Sequence, residues 1–361
     1  MNHTEEMNMM LNQLREPAFL VRDGIISLVN AAAEIYPLKV GNDVQPLLAT
    51  GHEEYAQLEN GQLYLTLNLE QIPFHACVTR TENCDLFVLE QTADDAELHS
   101  MALTSQMLRT PLSNVMTVAD RLFPLSCFDN DPEAQEQIAK INRGLYQMMR
   151  IVCNMSDAYR YHCEANPKTE LTEITAFLQE VFARNQVLID YAGIHLHYEG
   201  PKEPIYTLLD QEKMERAVGN ILSNAVKFTP KGGKIEARLT RRGKMLYLSV
   251  QDSGCGISDA AKGNLYTRYQ RLPGLEDGRF GIGLGMLMIR QTATAHGGTV
   301  LAETGSDCGL KLTMSLPIRQ VTDPGVRSPM IHVDYAGERD HALLELADCL
   351  PLEAFRRENV N

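Results

Sequence analysis

The chain is 361 residues long, enough for roughly two or three domains. Its 44% hydrophobic content can supply real cores, which excludes a wholly disordered chain. The net charge of −14, from 33 basic and 47 acidic residues, argues against general binding of nucleic acid or anionic membrane and leaves room only for a local basic site.

From the N-terminus, residues 1–16 carry acidic side chains and no long apolar core, so a signal peptide is not expected. Nowhere does an apolar stretch approach the ~20 residues that span a bilayer. Residues 1–93 form a first predicted domain, in which residues 17–91 have the pattern of a small α+β sensor unit. Residues 18–21, Asp23-Gly24 and residues 25–29 read as a strand, a two-residue turn and a strand. Residues 30–34 read as helical. Residues 62–69, 74–80 and 85–90 read as three further strands. Strands flanking short helices and closing in a hairpin resemble the topology of a PAS domain. His52, His75, Cys77 and Cys84 are of the types that touch a haem or metal, but a lone His or Cys is more often ordinary structure. The eight cysteines are scattered singly with no C-x-x-C pair, the usage of reduced thiols in a cytoplasmic protein.

Residues 94–166 form the second predicted domain. The apolar period lengthens here: Leu98, Met101, Ser105, Leu108, Leu112, Val115, Ala119 and Leu122 step by threes and fours. A second helix repeats the pattern through Ile138, Ile141, Leu145, Met148, Val152, Met155 and Tyr159. Heptads on two helices joined by a loop predict an antiparallel hairpin. One hairpin cannot cover both its faces, whereas two from two chains make a four-helix bundle, so a homodimer is expected. Pro111, inside the first helix, removes a backbone donor and should bend it.

On that helix lies Ser105-Gln106-Met107-Leu108-Arg109-Thr110-Pro111-Leu112. It resembles the phosphoacceptor box of sensor histidine kinases, usually Ser-His-Glu-Leu-Arg-Thr-Pro-Leu. Gln106 stands at the phosphoacceptor position and Met107 at that of the assisting acid. The amide nitrogen of Gln106 has its lone pair delocalised into the carbonyl and cannot attack a phosphoryl group in line. Losing the acid–base partner costs ~10²–10⁴-fold, whereas losing the nucleophile removes the reaction at that position. Gln106 follows the seam residue Ser105 and should face solvent. His99, ~10.5 Å up the same helix, and His162, near the end of the second, are weaker alternative acceptors. The resemblance gives Thr110 a possible role in orienting a water that dephosphorylates a response regulator.

Residues 167–317 form the third predicted domain. Asp210 can cap a helix through Met214, Val218, Ile221 and Leu222. It carries Asn220 and Asn224, four apart on one face, and Lys227. An Asn oxygen can ligate magnesium, and a Lys can neutralise phosphate. A strand over residues 245–250 then leads into Asp252-Ser253-Gly254-Cys255-Gly256-Ile257. A carboxylate there can accept from an adenine amino group, and the glycines admit close backbone approach. Residues 265–271 contain Tyr266 and Arg271 and precede the Pro-, Gly- and charge-rich residues 272–280, the composition of a mobile lid. Gly281-Ile282-Gly283-Leu284-Gly285 opens a helix, where glycine amides suit phosphate. His296-Gly297-Gly298-Thr299-Val300 precedes a strand ending at Leu316 and Pro317. Each motif alone is weak. Their order, behind the octapeptide, resembles the ATP-binding domain shared by histidine kinases, Hsp90 and gyrase (the GHKL type). Leu310 departs from the Ser or Thr frequent after the glycine at 309.

The fold class expected is thus multidomain α+β: a PAS-like sensor, a helical hairpin forming a dimeric four-helix bundle, and an α/β-sandwich GHKL domain. The resemblance implies ATP and Mg2+ as cofactors, with Asn224 the metal ligand, and places Asn220, Lys227, Asp252, Gly254, Gly256, Tyr266, Arg271, Gly281, Gly283, Leu284 and Gly285 at the nucleotide. A response regulator or a partner histidine kinase is the expected partner. Whether the chain is an enzyme stays open. One reading is a degenerate kinase that binds Mg-ATP and signals by conformation; another phosphorylates an unusual residue or a partner's His; a third is a response-regulator phosphatase. Residues 318–361 are extra to the family core, and residues 338–358 read as an amphipathic helix interrupted at Pro351, with no assigned role.

Overall fold

The computed structural model describes residues 8–81, 84–90, 95–123, 131–163, 167–256, 284–305, 309–319 and 339–360. The N-terminal unit is built on five antiparallel strands, β1 (Ala18–Arg22), β2 (Ile25–Val29), β3 (Gln62–Leu69), β4 (Ile72–Arg80) and β5 (Asp85–Leu89), in the spatial order β2-β1-β5-β4-β3. Asp23 and Gly24 both take positive φ, 52° and 79°, the backbone a two-residue hairpin turn with the right twist requires. The expected helix over residues 30–34 is instead a single 3-10 turn, Ala31–Ala33, capped by Asn30, whose side-chain oxygen accepts from the Ala33 amide at 3.0 Å. The short helix α1 (His52–Ala56) starts against this sheet.

Two long helices follow, α2 (Asp95–Leu122) and α3 (Pro132–Cys163), packed on each other as the expected hairpin. Pro111 lies inside α2, which runs on past it. The apolar heptad positions divide into two sets. Leu98, Ser105, Leu112 and Ala119 on α2, and Ile138, Leu145 and Val152 on α3, are buried. Leu108, Val115 and Leu122, with Ile141 and Met148, are exposed. Each set repeats every seven residues, so the alternation of threes and fours records two faces.

The remaining strands are β6 (Glu170–Glu173), β7 (His195–Glu199), β8 (Tyr206–Leu209), β9 (Lys234–Arg242), β10 (Met245–Asp252), β11 (Val300–Thr304) and β12 (Leu310–Pro317). The one strand expected after Val300 is therefore two, paired antiparallel. Helices α4 (Ile174–Tyr191), α5 (Gln211–Phe228) and α6 (Gly285–Ala295) share a core with this sheet. β9 and β10 alternate strictly, turning Ile235, Ala237, Leu239, Leu246, Leu248 and Val250 into that core. β11 also pairs with β3, Val300 opposite Tyr64, so both units lie in one ten-stranded sheet. At this junction the buried Arg290 of α6 reaches Glu90 at 3.1 Å and lies 4.6 Å over the Tyr64 ring.

The C-terminal segment corrects its expectation. It is not one amphipathic helix but α7 (His341–Glu345), a turn, a 3-10 turn at Leu352–Phe355 and α8 (Arg357–Val360). Asp340 caps α7, accepting from the Leu343 amide at 2.6 Å. Leu343, Leu344, Leu346, Ala347, Leu350 and Phe355 are buried in the same core as α3, α4 and α5. The run of apolar residues is too dense for a surface helix, and burial against three helices satisfies it.

Candidate functional site

Helix α5 positions three of the expected nucleotide residues, Asn220, Asn224 and Lys227. Its start is fixed by Asp210, whose carboxylate accepts from the amides of Lys213 at 3.1 Å and Lys168 at 2.9 Å. The Asp210 amide donates to His296 Nε2 at 3.0 Å, and His296 Nδ1 lies 2.8 Å from the Thr292 carbonyl. That pattern puts the ring proton on Nδ1 and keeps the imidazole neutral. Burial lowers the His296 pKa, only partly opposed by the Thr292 carbonyl and Asp210.

Along α5 from this cap come Arg216, Asn220, Asn224 and Lys227. Asn220 is buried; its Nδ2 donates to the Arg216 carbonyl at 2.9 Å and to Glu345 at 3.3 Å, and its Oδ1 accepts from Arg150 at 3.3 Å. Asn224 and Lys227 are half-buried. The Lys227 ammonium lies 3.6 Å from Asp348, and burial and the nearby Arg150 guanidinium lower its pKa, which Asp348 opposes. At Gly285 an added Cβ would stand 2.8 Å from Asn220 Oδ1, so a glycine there lets the start of α6 close on the α5 face.

At the other end of the site, Asp252 closes β10. Its Oδ1 accepts from the amides of Gly254 at 2.9 Å and Leu310 at 3.2 Å. Burial raises the Asp252 pKa, and these backbone donors oppose the shift. A Cβ at Gly254 would strike the carbonyl of Phe228, the last residue of α5, so the Asp252 loop and α5 meet backbone to backbone. Gly256 has a positive φ of 68°. Leu284 is buried. Tyr266, Arg271, Gly281, Gly283, Ile257 and the lid residues 272–280 lie outside the described residues.

The octapeptide sits on α2 as expected. Ser105 is buried, its hydroxyl donating to the Ala102 carbonyl at 2.7 Å, while Gln106, Met107 and Thr110 face solvent. Met107 is 78% exposed, unusual for so apolar a side chain. Arg109 turns toward α3, Nη2 lying 3.5 Å from Cys153 Sγ. Among the described residues no hydrogen bond or ion pair joins Gln106, Met107 or Thr110 to α5. His99 is exposed on the same helix, its ring 5.3 Å from that of Tyr159; the side chain of His162 is outside the described residues.

Four charged residues at the site were not anticipated from sequence: Arg150 on α3, Arg216 on α5, and Glu345 and Asp348 of the C-terminal segment. Arg150 bonds Asp348 at 2.6 Å and approaches Glu345 at 3.6 Å. Arg216, wholly buried, pairs with Glu345 at 3.0 Å and with Asp157, and donates to Asn154 at 2.7 Å. The available signal was a lone arginine in the apolar run Met148-Met149-Arg150-Ile151-Val152, and a glycine in mid-helix at 219. The donor set of Arg150, Lys227 and Asn220 suits an anion, and the carboxylates of Glu345 and Asp348 lie against it. Asp252, with the glycine approaches at Gly254 and Gly285, suits a planar base and a close backbone. The residues present therefore fit a nucleotide.

A sheet covered on one face by helices, with an Asn-bearing helix and an Asp-Gly strand end, defines an ATPase-type domain. Residues 209–320 match the family model of the histidine kinase-, DNA gyrase B- and HSP90-like ATPases. The chain is similar to the histidine protein kinase DivJ of Caulobacter vibrioides, 30% identical over 243 residues that cover 64% of this chain and 40% of that protein. It is also similar to the sensor histidine kinase WalK of Bacillus subtilis, 25% identical over 240 residues, 64% of this chain and 39% of that one. It thus spans less than half the length of both relatives. The crystal structure of full-length ShkA in complex with AMPPNP shares the fold over 63% of this chain and 47% of that chain, with a TM-score of 0.51 at 20% identity. Residues 209–320 are thus an ATPase domain of the histidine kinase, DNA gyrase B and HSP90 type, and about two thirds of the chain is similar to sensor histidine kinases. Among the described residues no helix is long and apolar enough to cross a membrane.

Proposed function

We propose that this protein is a degenerate histidine kinase of a two-component system: it binds Mg-ATP, does not phosphorylate its own hairpin, and signals by conformation to a response regulator or a partner kinase. The observation that carries this reading is the exposed Gln106 at the acceptor position of α2, where an amide offers no nucleophilic lone pair. Asn224 supplies a neutral oxygen for magnesium, and Asn220 and Lys227 hold the phosphates. Asp252 receives the adenine amino group on the oxygen not used by Gly254 and Leu310, and Gly254, Gly256, Leu284 and Gly285 give the backbone room. Tyr266, Arg271, Gly281 and Gly283 complete the set through the lid. Bound ATP would supply a γ-phosphoryl group, and the chain's residues orient it and neutralise its charge.

The N-terminal sheet is read as a PAS-like sensor on its strand order. A homodimer is supported by the exposed stripe of Leu108, Val115 and Leu122 beside Ile141 and Met148, which a second copy would cover as a four-helix bundle. Thr110, solvent-facing one turn after Gln106, favours a second reading, a water-orienting role in dephosphorylating a response regulator.

The pure protein with magnesium and γ-labelled ATP, alone and beside a family kinase that carries the His, tests the proposal. Nucleotide binding that Asn224→Ala abolishes, with no label on this chain, is the expected result. Acid-labile label on this chain would overturn it. Label on a partner that keeps its His but whose own ATP site has been disabled would make the chain an active kinase in trans.

A further inference from the structure

The C-terminal segment, which lies beyond the residues matched by the family model, is bound at the α5 face assigned above to phosphate. Glu345 lies against Arg216 at 3.0 Å and accepts from Asn220 at 3.3 Å. Asp348 lies 2.6 Å from Arg150 and 3.6 Å from Lys227. The contact is shaped as well as charged. An added Cβ at Gly219 would meet Glu345 Cβ at 2.7 Å, so only a glycine in mid-helix lets this carboxylate in. Glycine in a helix interior is less stable than alanine, and here that position faces the segment. Leu344 and Phe355, both fully buried, anchor it on either side.

We propose that Arg150, Lys227 and Asn220 form one anion site shared by two occupants, the tail carboxylates Glu345 and Asp348 and the polyphosphate of the nucleotide, so that the tail is an internal competitor that ATP must displace. This rests on the ATP-binding reading of the same site. It assigns Arg150, delivered from the hairpin and not from the ATPase domain, as a phosphate ligand once Asp348 leaves. Because Asp348 bridges Arg150 of α3 and Lys227 of α5, its departure also removes one link between the hairpin and the ATPase domain, leaving those of Arg216 to Asp157 and Asn154. The signal that frees the tail and the nucleotide are then thermodynamically linked, each favouring the other.

The test compares the full chain with its Glu345→Gln/Asp348→Asn variant by calorimetric titration with Mg-ATP and with adenosine. The variant should bind Mg-ATP at least ~10-fold more tightly while adenosine affinity stays level, because the carboxylates compete at the phosphate end only. Adding Arg150→Met should remove most of the gain. Hydrogen exchange on the unaltered chain avoids any folding defect of the variants: saturating Mg-ATP should speed exchange at the amides of Leu344, Leu346 and Leu350, which bond within the docked segment. Mg-ATP binding with equal affinity in both proteins and unchanged exchange at these amides would overturn the competitor while leaving ATP binding intact. No Mg-ATP binding to either protein would overturn both.

Discussion

Arg216 is the strongest point at which to test the site's energetics. Its side chain is fully buried on α5 and joins that helix to two other parts of the chain: α3, through Asp157 and through Asn154, to which it donates at 2.7 Å, and the C-terminal segment, through Glu345. Arg216→Met keeps most of the aliphatic volume and removes the charge. Asp157 and Glu345, 7% and 2% exposed at the side chain, then face one cation fewer. Breaking a buried pair by deleting one partner typically costs ~3–5 kcal/mol. Asp157 keeps Arg160 at 3.1 Å and Glu345 keeps Arg150 at 3.6 Å, so the low end, about 3 kcal/mol, is expected. Hydrogen exchange at the α5 amides reports the opening free energy of this unit directly. Replacing the whole set by apolar groups (Arg216→Met, Asp157→Leu, Glu345→Met) should recover stability to within about 1 kcal/mol of the parent, since no charge is left stranded. A single variant that loses under ~1 kcal/mol, or a triple variant no better than the single, would refute the view that pairing governs this cluster.

Three further outcomes follow from the same structure. Leu108→Asp removes part of a leucine's burial in each copy and adds a charge to the seam, so the dimer should weaken by at least ~100-fold in sedimentation equilibrium; a dissociation constant within ~3-fold of the parent would count against the stripe as the dimer face. Asp252→Asn keeps an oxygen to accept from Gly254 and Leu310 while removing a carboxylate whose pKa burial has raised. A carboxyl with a raised folded pKa destabilises once ionised, so the variant's melting temperature at about pH 7 should equal or exceed the parent's while ATP binding is lost; a destabilised variant that still binds ATP would contradict the assignment. His296 has a lowered folded pKa, so the unfolded chain takes up the proton first; its contribution is complete above the ordinary histidine range and lost as pH falls through it. The opening free energy of the first α5 turn should fall between about pH 7 and pH 5, and His296→Gln should lack that slope.

What was legible in the sequence was local. β3 falls on residues 62–69 as the alternation and flanking turns predict, and Asp210 caps α5 because the capping bond spans three residues. Asn220 and Asn224 share a helix because their spacing is helical. What was not legible depends on distance along the chain. Asn220 meets Glu345 across 125 residues, and Arg150 meets Asp348 across 198, separations no periodicity encodes. Which heptad positions meet their own hairpin was not legible for a related reason. A heptad fixes which residues share a stripe, but whether a stripe meets its own hairpin or another surface is decided by tertiary packing. The division into buried Leu112 and exposed Val115 only appears with the neighbours in place.

The two substitutions at the acceptor box differ in kind from the network around Arg216. Gln106 and Met107 are solvent-facing, with no bond to the rest of the site among the described residues. Exchanges at such positions usually change stability by less than about 0.5 kcal/mol. The fold therefore places no demand on residues 106 and 107, and the chemistry there is separable from the architecture. The cluster around Asn220 is the opposite case, because Asn220 and Arg216 are buried and bonded to both α3 and the C-terminal segment, so that face cannot drift without cost to the core. The same separability makes Gln106→His with Met107→Glu a test of transfer with little structural side effect: acid-labile label appearing on the doubly substituted helix would mean the geometry for transfer persists and only the nucleophile is missing.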